Sequence, residues 1–331
     1  MLRRTLLPLS LLAALACSPP SDLTSAPEAA PPGEAPGDVC GLLMEAPGSV
    51  PAVPVSGKVR FLAFGDFGTG KASQRQVAAG MAEVHERAPF QLGITLGDNF
   101  YEDGLNSPTH PRWQTDWEEV YGRLGIRIYA VLGNHDYHDE ASPRAEMARS
   151  RLSASWCLPR PYYTFTAGPV QLFAVDTDPL AKRRSSVPEQ IAWLDGALAA
   201  SQAPWKVVYG HHPIYTNGEH GGSAGVLPAV RDTLLPVLRK HRVDLYLAGH
   251  DHDLQSLAPE QGVRFLVSGG GGRRVRPLAS GRCREWAASR HGFTVVEADD
   301  EALTASFFNE DGKRLHQVGT RKGEPGEECV R

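Results

Sequence analysis

The sequence predicts an α/β protein. Three observations carry that reading: short apolar runs of strand length recur along the chain, stretches with helical spacing separate them, and five of the runs end in a polar cluster that opens with glycine. Val59 to Phe64 (VRFLAF) leads to GDFG at Asp66. Ser73 to Arg87 follows, with Val77, Met81 and Val84 on one helical face. Leu92 to Leu96 leads to GDNFY, which holds Asp98 and Tyr101, and Arg127 to Leu132 leads to GNHD, which holds Asn134 and His135. Lys206 to Tyr209 leads to GHHP at His211, and Asp244 to Ala248 leads to GHDH, which holds His250 and His252. Pro188 to Ala200 and Val226 to Lys240 read as helices between them. Pro228 fits near the start of the second, and Pro236 inside it is expected to kink or end it. Strand-helix alternation argues for parallel pairing, with the clusters at the carboxyl ends of the strands. Tyr162 to Phe165, Val170 to Val175, Phe265 to Val267, Phe293 to Val296 and Leu303 to Phe308 add strands for a second sheet. No internal repeat is visible.

A chain of 331 residues, 41% of them hydrophobic, can bury one large core. A net charge of −4 gives no basic character, so nucleic acid is not an expected partner. Arg273, Arg274 and Arg276 form a local basic run after Gly269 to Gly272, read as a solvated flexible loop. Residues 1–17 read as an export signal. Arg3 and Arg4 open it, and Thr5 to Leu15 form an apolar core too short to span a bilayer. Ala14-Leu15-Ala16-Cys17 resembles a bacterial lipoprotein cleavage site, although Leu15 is atypical there. The mature protein is then expected to be exported and anchored by lipid on Cys17, facing the periplasm or the cell exterior. Residues 18–57 are rich in Pro, Ala and Glu and read as a disordered tether. Cys40, Cys157, Cys283 and Cys329 remain, an even number that suggests two disulfides in an exported protein. Three pairings are open. Chain ends often lie close together, which favours Cys40 with Cys329 and leaves Cys157 with Cys283.

The five clusters together supply seven side chains able to bind metal: Asp66, Asp98, Tyr101, Asn134, His211, His250 and His252. A lone Gly-Asp after a strand is usually a turn, because Asp bonds its own backbone there. GHDH is more specific, since two His at i and i+2 of an extended segment point the same way. Five such turns at one sheet edge would gather ligands around two metal ions. Carboxylate and phenolate oxygens are hard donors and imidazole is borderline, and no cysteine occurs in any cluster, which argues against a thiolate zinc site. A tyrosinate favours a trivalent, acidic ion such as iron(III), because phenol must lose a proton with a pKa of ~10. Asn134 suits a divalent partner, and Asp98 is the candidate bridge.

The ordered set GDFG, GDNFY, GNHD, GHHP and GHDH resembles the purple acid phosphatases within the calcineurin-like metallophosphoesterases, and most of all their small, single-domain, tartrate-resistant type. The resemblance covers roughly Lys58 to Gln317. Most calcineurin-like enzymes begin with Asp-x-His. Here the first cluster reads Asp66-Phe67-Gly68, and Tyr101 sits where purple phosphatases place their tyrosinate. The resemblance implies a four-layer α/β/β/α sandwich over residues 58–319, with 320–331 as a C-terminal tail. It implies iron(III) held by Asp66, Asp98, Tyr101 and His252. It implies a second, divalent ion (iron(II), zinc or manganese) held by Asp98, Asn134, His211 and His250. His135 in GNHD and His220 in NGEHGG match positions that face substrate. His212 and Asp251 neighbour ligands and are expected to support them.

The implied activity is hydrolysis of phosphate monoesters on small phosphorylated substrates, by in-line attack of a metal-activated water, with His220 or His135 protonating the leaving alkoxide. An acidic pH optimum and a monomer are expected. A phosphodiesterase or nucleotide pyrophosphatase on the same site is the alternative within this chemistry. A non-catalytic, surface-anchored binding protein is the alternative outside it, and the complete ligand set speaks against that one. Thr177 to Val187 looks shorter than the regulatory loop of the animal enzymes, so activation by cutting that loop is not carried over.

Overall fold

The computed structural model describes residues 2, 40, 52–222, 226–279, 283–324 and 328–329. Cys17, nearly all of the expected signal and most of the expected tether lie outside them. The chain divides into residues Met1–Ala35 and Pro36–Arg331, and every strand and helix among the described residues belongs to the second unit.

Two seven-stranded mixed sheets form its centre. In the first, β1 (Val59–Phe64), β2 (Leu92–Thr95), β3 (Ile128–Tyr129) and β4 (Trp156–Cys157) run parallel in sequence order. The second contains β5 (Tyr163–Ala167), β6 (Val170–Ala174), β7 (Trp205–Tyr209), β8 (Leu245–Ala248), β9 (Leu254–Glu260), β10 (Val263–Ser268) and β11 (Arg284–Ala288). Within it β6, β7, β8 and β10 are parallel neighbours. β12 (Gly292–Ala298), β13 (Ala302–Asn309) and β14 (Arg314–Arg321) return to the first sheet and extend it antiparallel from β1.

The strands show the layering in their side chains. Along β8, Leu245 and Leu247 enter the large core shared with Phe61, Leu62, Val295 and Phe307 of the first sheet, while Tyr246 and Ala248 enter a second core. That second core lies against the helices Val187–Ala200 and Val226–Lys240, through Leu194, Leu198, Val230 and Leu234. Period-two alternation thus gives β8 one face toward the other sheet and one toward helix. On the first sheet, α1 (Ala72–Arg87) buries Val77, Met81 and Val84, as its spacing predicts.

Several expectations change. The clusters do not lie at one sheet edge. GDFG, GDNFY and GNHD follow β1, β2 and β3 of the first sheet, whereas GHHP and GHDH follow β7 and β8 of the second. The later strands also divide, β5, β6 and β10 going to the second sheet and β12 and β13 to the first. Main-chain bonds join the two carboxyl ends: Gly65 N–H donates to Ser268 O at 2.9 Å, and Gly271 N–H to Gly65 O at 3.0 Å.

The disulfides are Cys40–Cys157 and Cys283–Cys329, with Cα separations of 5.6 and 5.2 Å. Cys157 ends β4. Cys283 and Cys329 meet at the end of β9, where Cys283 O accepts from Ala258 N–H and Cys329 N–H donates to Pro259 O. Main-chain bonding to β9 thus brings Cys283 and Cys329 together, and Cys40 joins Cys157 rather than the other chain end.

Pro236 does not end its helix, which runs from Val226 to Lys240. Pro236 is exposed, so the carbonyl one turn back that loses its N–H partner faces water, while Leu234, Leu235, Val237 and Leu238 stay in the core. Thr177–Ala181, within the segment expected to be a loop, forms a short helix capped by Asp176, whose carboxylate accepts from Asp178 N–H.

Candidate metal centre

All seven predicted donors converge where the two sheets meet. Tyr101 Oη lies 2.8 Å from Asp98 Oδ2, 3.1 Å from Asp66 Oδ1 and 3.3 Å from His252 Nε2. His252 Nε2 is itself 3.5 Å from Asp66 Oδ1. A second group adjoins the first through Asp98. His211 Nε2 stands 3.3 Å from Asp98 Oδ1, 3.0 Å from Asn134 Oδ1 and 3.1 Å from His250 Nδ1. Asp98 therefore offers one oxygen toward each group, a geometry that suits a bridge.

The leading glycines have a steric reason. A Cβ on residue 133 would stand 2.3 Å from Asp98 Oδ1, and one on residue 249 would stand 2.5 Å from Asp66 Oδ2. Asp66, Asp98 and His250 adopt positive φ angles of 60°, 50° and 70°. Side chains meet a steric penalty in that region, and such residues persist where the surroundings hold them. Here the twist at His250 lets its own N–H donate to Asp66 Oδ2 at 2.9 Å.

Backbone carbonyls aim the imidazoles. His211 Nδ1–H donates to Leu96 O at 2.8 Å, a bond from the second sheet to the first, and His252 Nδ1–H donates to Arg274 O at 2.9 Å. Each leaves an Nε2 lone pair pointing at the centre. Burial, with the neighbouring His212 and His211, pushes His250 well below its ordinary value. Burial and then Arg276 push His252 down to about 4, and burial also lowers His211. At neutral pH all three are neutral donors.

Asp66 and Tyr101 are under the opposite stress. Burial first, and then the Asp98 carboxylate, drives Asp66 well above the usual carboxylate range. Burial, Asp66 and Asp98 together drive the Tyr101 phenol well above 10. Among the described residues neither carboxylate has a lysine or arginine within ion-pair distance. Two carboxylates and a phenolate this buried cannot all be ionised without cations among them, and hard oxygen with neutral imidazole is a donor set that fits such cations.

His135 and His220 flank the centre. The His135 ring packs 4.5 Å from Tyr101 with its Nδ1 2.5 Å from Glu102 O, and the main-chain N–H of His135 donates to Asp98 Oδ1. His220 lies over His250, ring centres 4.1 Å apart, with Nδ1 2.8 Å from Asp251 Oδ1. Burial works to raise Asp251, but hydrogen bonds from His220 and Thr216 outweigh it and hold the carboxylate below its usual range. His212 turns to Thr177, its Nδ1 2.8 Å from Oγ1, while its N–H donates to the same oxygen.

Two features were missed in the sequence. Asp136, the last residue of GNHD, accepts from the N–H groups of Gly133, Asn99 and Phe100 and so welds the second cluster to the third. The signal for it was the acid closing that motif. The arginine run is not a solvated loop: Arg273 N–H donates to Asp66 O at 2.8 Å, and Arg276 N–H to His252 O at 3.3 Å. Its backbone is part of the site's wall.

A model of the calcineurin-like phosphoesterase family matches residues 59–254. Purple acid phosphatase 17 of Arabidopsis thaliana is 32% identical over 293 residues, 80% of this chain and 85% of its own. Tartrate-resistant acid phosphatase type 5 of Mus musculus is 32% identical over 298 residues, 78% of this chain and 89% of its own. Among solved structures, a purple acid phosphatase from yellow lupin (Lupinus luteus) seeds matches with a TM-score of 0.64 at 16% identity, across 80% of this chain and 54% of that one. GAP50, the anchor in the inner membrane complex of Plasmodium, matches with a TM-score of 0.69 at 21% identity, across 80% and 89%. These last two likenesses speak to fold alone.

Proposed function

The chain belongs to the purple acid phosphatases of the calcineurin-like phosphoesterase family and is a metallophosphoesterase, and we propose that it hydrolyses phosphate monoesters at a dinuclear centre of iron(III) and a divalent ion. The observation that carries this reading is Asp98, with one oxygen beside Tyr101 and the other beside His211. Asp66, Asp98, Tyr101 and His252 would hold one ion. Asp98, Asn134, His211 and His250 would hold the other. Removing the proton from Tyr101 in its buried, anionic surroundings demands a strongly acidic cation, which favours iron(III) there.

When bound, the ions supply charge to grip phosphate oxygens and to acidify a water. The protein's own residues do the rest. Leu96 O and Arg274 O hold His211 and His252 in the ring orientation that presents Nε2. Asp136 fixes the Asp98 and Asn134 loops relative to each other. Asp251 holds His220 by Nδ1, and Nε2, 3.1 Å from an Arg276 guanidinium nitrogen, is the atom that would pass a proton to the departing alkoxide oxygen. His135, on the Tyr101 side, is the second candidate for that proton. A panel of phosphate mono- and diesters, run beside elemental analysis, tests the reading: monoesters should be turned over faster, and faster diester cleavage would make the enzyme a phosphodiesterase.

The two disulfides suit an oxidising compartment. No helix among the described residues is long and apolar enough to cross a membrane. Export with a lipid on Cys17 fits both observations, and mass spectrometry of the mature amino terminus tests it. An unlipidated start elsewhere would leave an exported enzyme without an anchor.

A further inference from the structure

A recess of about 570 Å³ opens beside His252. Its wall carries Lys71, Arg273, Arg274 and Arg276 against a single acid, Glu102. Two of the four cations are engaged. Arg273 forms a two-pronged ion pair with Glu102 and stacks over the Tyr101 ring, and Arg276 meets Glu219 and His220. Lys71 and Arg274 are exposed, and among the described residues neither side chain has an acidic partner. Nor does the first turn of α1, which starts beside Lys71, hold an acid to compete with an incoming anion.

The recess is tied to the centre. His252 donates to Arg274 O, Arg276 N–H donates to His252 O, and Arg273 N–H donates to Asp66 O. The arginine side chains therefore start from backbone bonded to two candidate ligands and cannot drift away from them. Its size suits part of a small molecule. Two cations without an acid, one a planar fork matched to phosphate oxygens, ask for an anion of high charge density. Carboxylate would satisfy one of them, whereas a phosphate dianion can satisfy both.

We propose that this recess binds a second phosphate, so that the preferred substrates are small molecules carrying two phosphates, one at the metal centre and one held by Lys71 and Arg274. The inference rests on the phosphomonoesterase reading above. It predicts discrimination through KM, because the second phosphate is gripped equally before and during reaction. The attraction should weaken with salt, since both cations face solvent.

The test compares hexanediol bisphosphate and propanediol bisphosphate with hexyl phosphate, which lacks the second anion. For at least one bisphosphate, kcat/KM should exceed that of hexyl phosphate by about tenfold or more, a gap set by charge-assisted hydrogen bonds. The gap should lie in KM and shrink with added salt. Lys71→Ala alone should narrow it and leave hexyl phosphate hydrolysis unchanged, which also shows that the variant folds, and adding Arg274→Ala should abolish it, read as the ratio of bisphosphate to hexyl phosphate kcat/KM within the same variant. Equal kcat/KM on all three compounds, or a gap that survives the double substitution, would overturn the proposal while leaving the phosphatase reading intact. Failure to turn over any monoester, hexyl phosphate and p-nitrophenyl phosphate included, would instead sink the phosphatase reading itself.

Discussion

Tyr101 Oη stands 2.8 Å from Asp98 Oδ2, and the two residues are three apart in one GDNFY cluster. The same hydroxyl reaches Asp66 and His252, which arrive from other strands of both sheets. A phenol so placed can replace the histidine that most calcineurin-like enzymes carry in their first cluster, where this chain has Gly68. Its conversion to phenolate on iron(III) would give a visible charge-transfer band. Tyr101→Phe should bleach that band and lower iron content. Protein from an iron-sufficient host that is colourless, iron-free and fully active with zinc or manganese alone would refute the iron assignment.

His220→Ala separates proton donation from positioning. His220 is fixed by Asp251 and lies over His250 without sharing its donor atoms. The variant should slow alkyl phosphates by about 10²–10⁴-fold, the usual worth of a general acid, and aryl phosphates such as p-nitrophenyl phosphate far less. Metal content should not change. Equal slowing of both substrate types would assign the proton to His135.

Asp176 gives a stability signature independent of the metals. Burial pushes its carboxyl up to about 7; the Tyr137 hydroxyl works against that and Asp178 adds to it. The unfolded chain releases this proton near a pH of about 3.9. Between about pH 4 and pH 7 the folded protein thus binds the extra proton, and its stability falls as pH rises. Asp176→Asn cannot ionise and keeps the side-chain shape, with its one oxygen able to accept from Asp178 N–H and its NH2 able to donate to the Tyr137 hydroxyl oxygen. Its melting temperature should match wild type near pH 4 and exceed it by several degrees at about pH 7.5, on the order of 2–4 °C per kcal/mol for a domain this large. A constant difference across that range would show that Asp176 is ionised in the fold.

Much of this was legible because the chemistry is local. A strand ending in glycine followed by a donor is contiguous in sequence, so Asp66, Asp98, Tyr101, Asn134, His211, His250 and His252 could be picked out without knowing which strands pair. Which sheet each cluster belonged to was not legible, because β7 and β8 are as apolar as β1 and β2 and only their pairing with β6 and β10 places them in the second sheet. The disulfides failed for the same reason: Cys283 and Cys329 meet through their pairing with β9, a strand whose sequence LQSLAPE contains a proline and escaped notice. β14, a sheet-edge strand of largely polar residues, left no apolar run to read. The arginines at 273, 274 and 276 looked solvated because their side chains partly are; it is their main chain that faces Asp66 and His252.

If Asp98 joins two metal ions that together perform the hydrolysis, metal content and activity must fall together when its charge is removed. Elemental analysis of the purified protein, with phosphatase activity measured on the same samples for wild type and Asp98→Asn, decides the matter. Wild type should hold two metal ions per chain, one of them iron. A folded Asp98→Asn variant should retain fewer and lose at least about a hundredfold in activity, since a neutral amide cannot offset two cations and preorganised charge of this kind is typically worth that much. Full activity with a single ion per chain, or wild-type activity in well-folded Asp98→Asn, would contradict the dinuclear assignment.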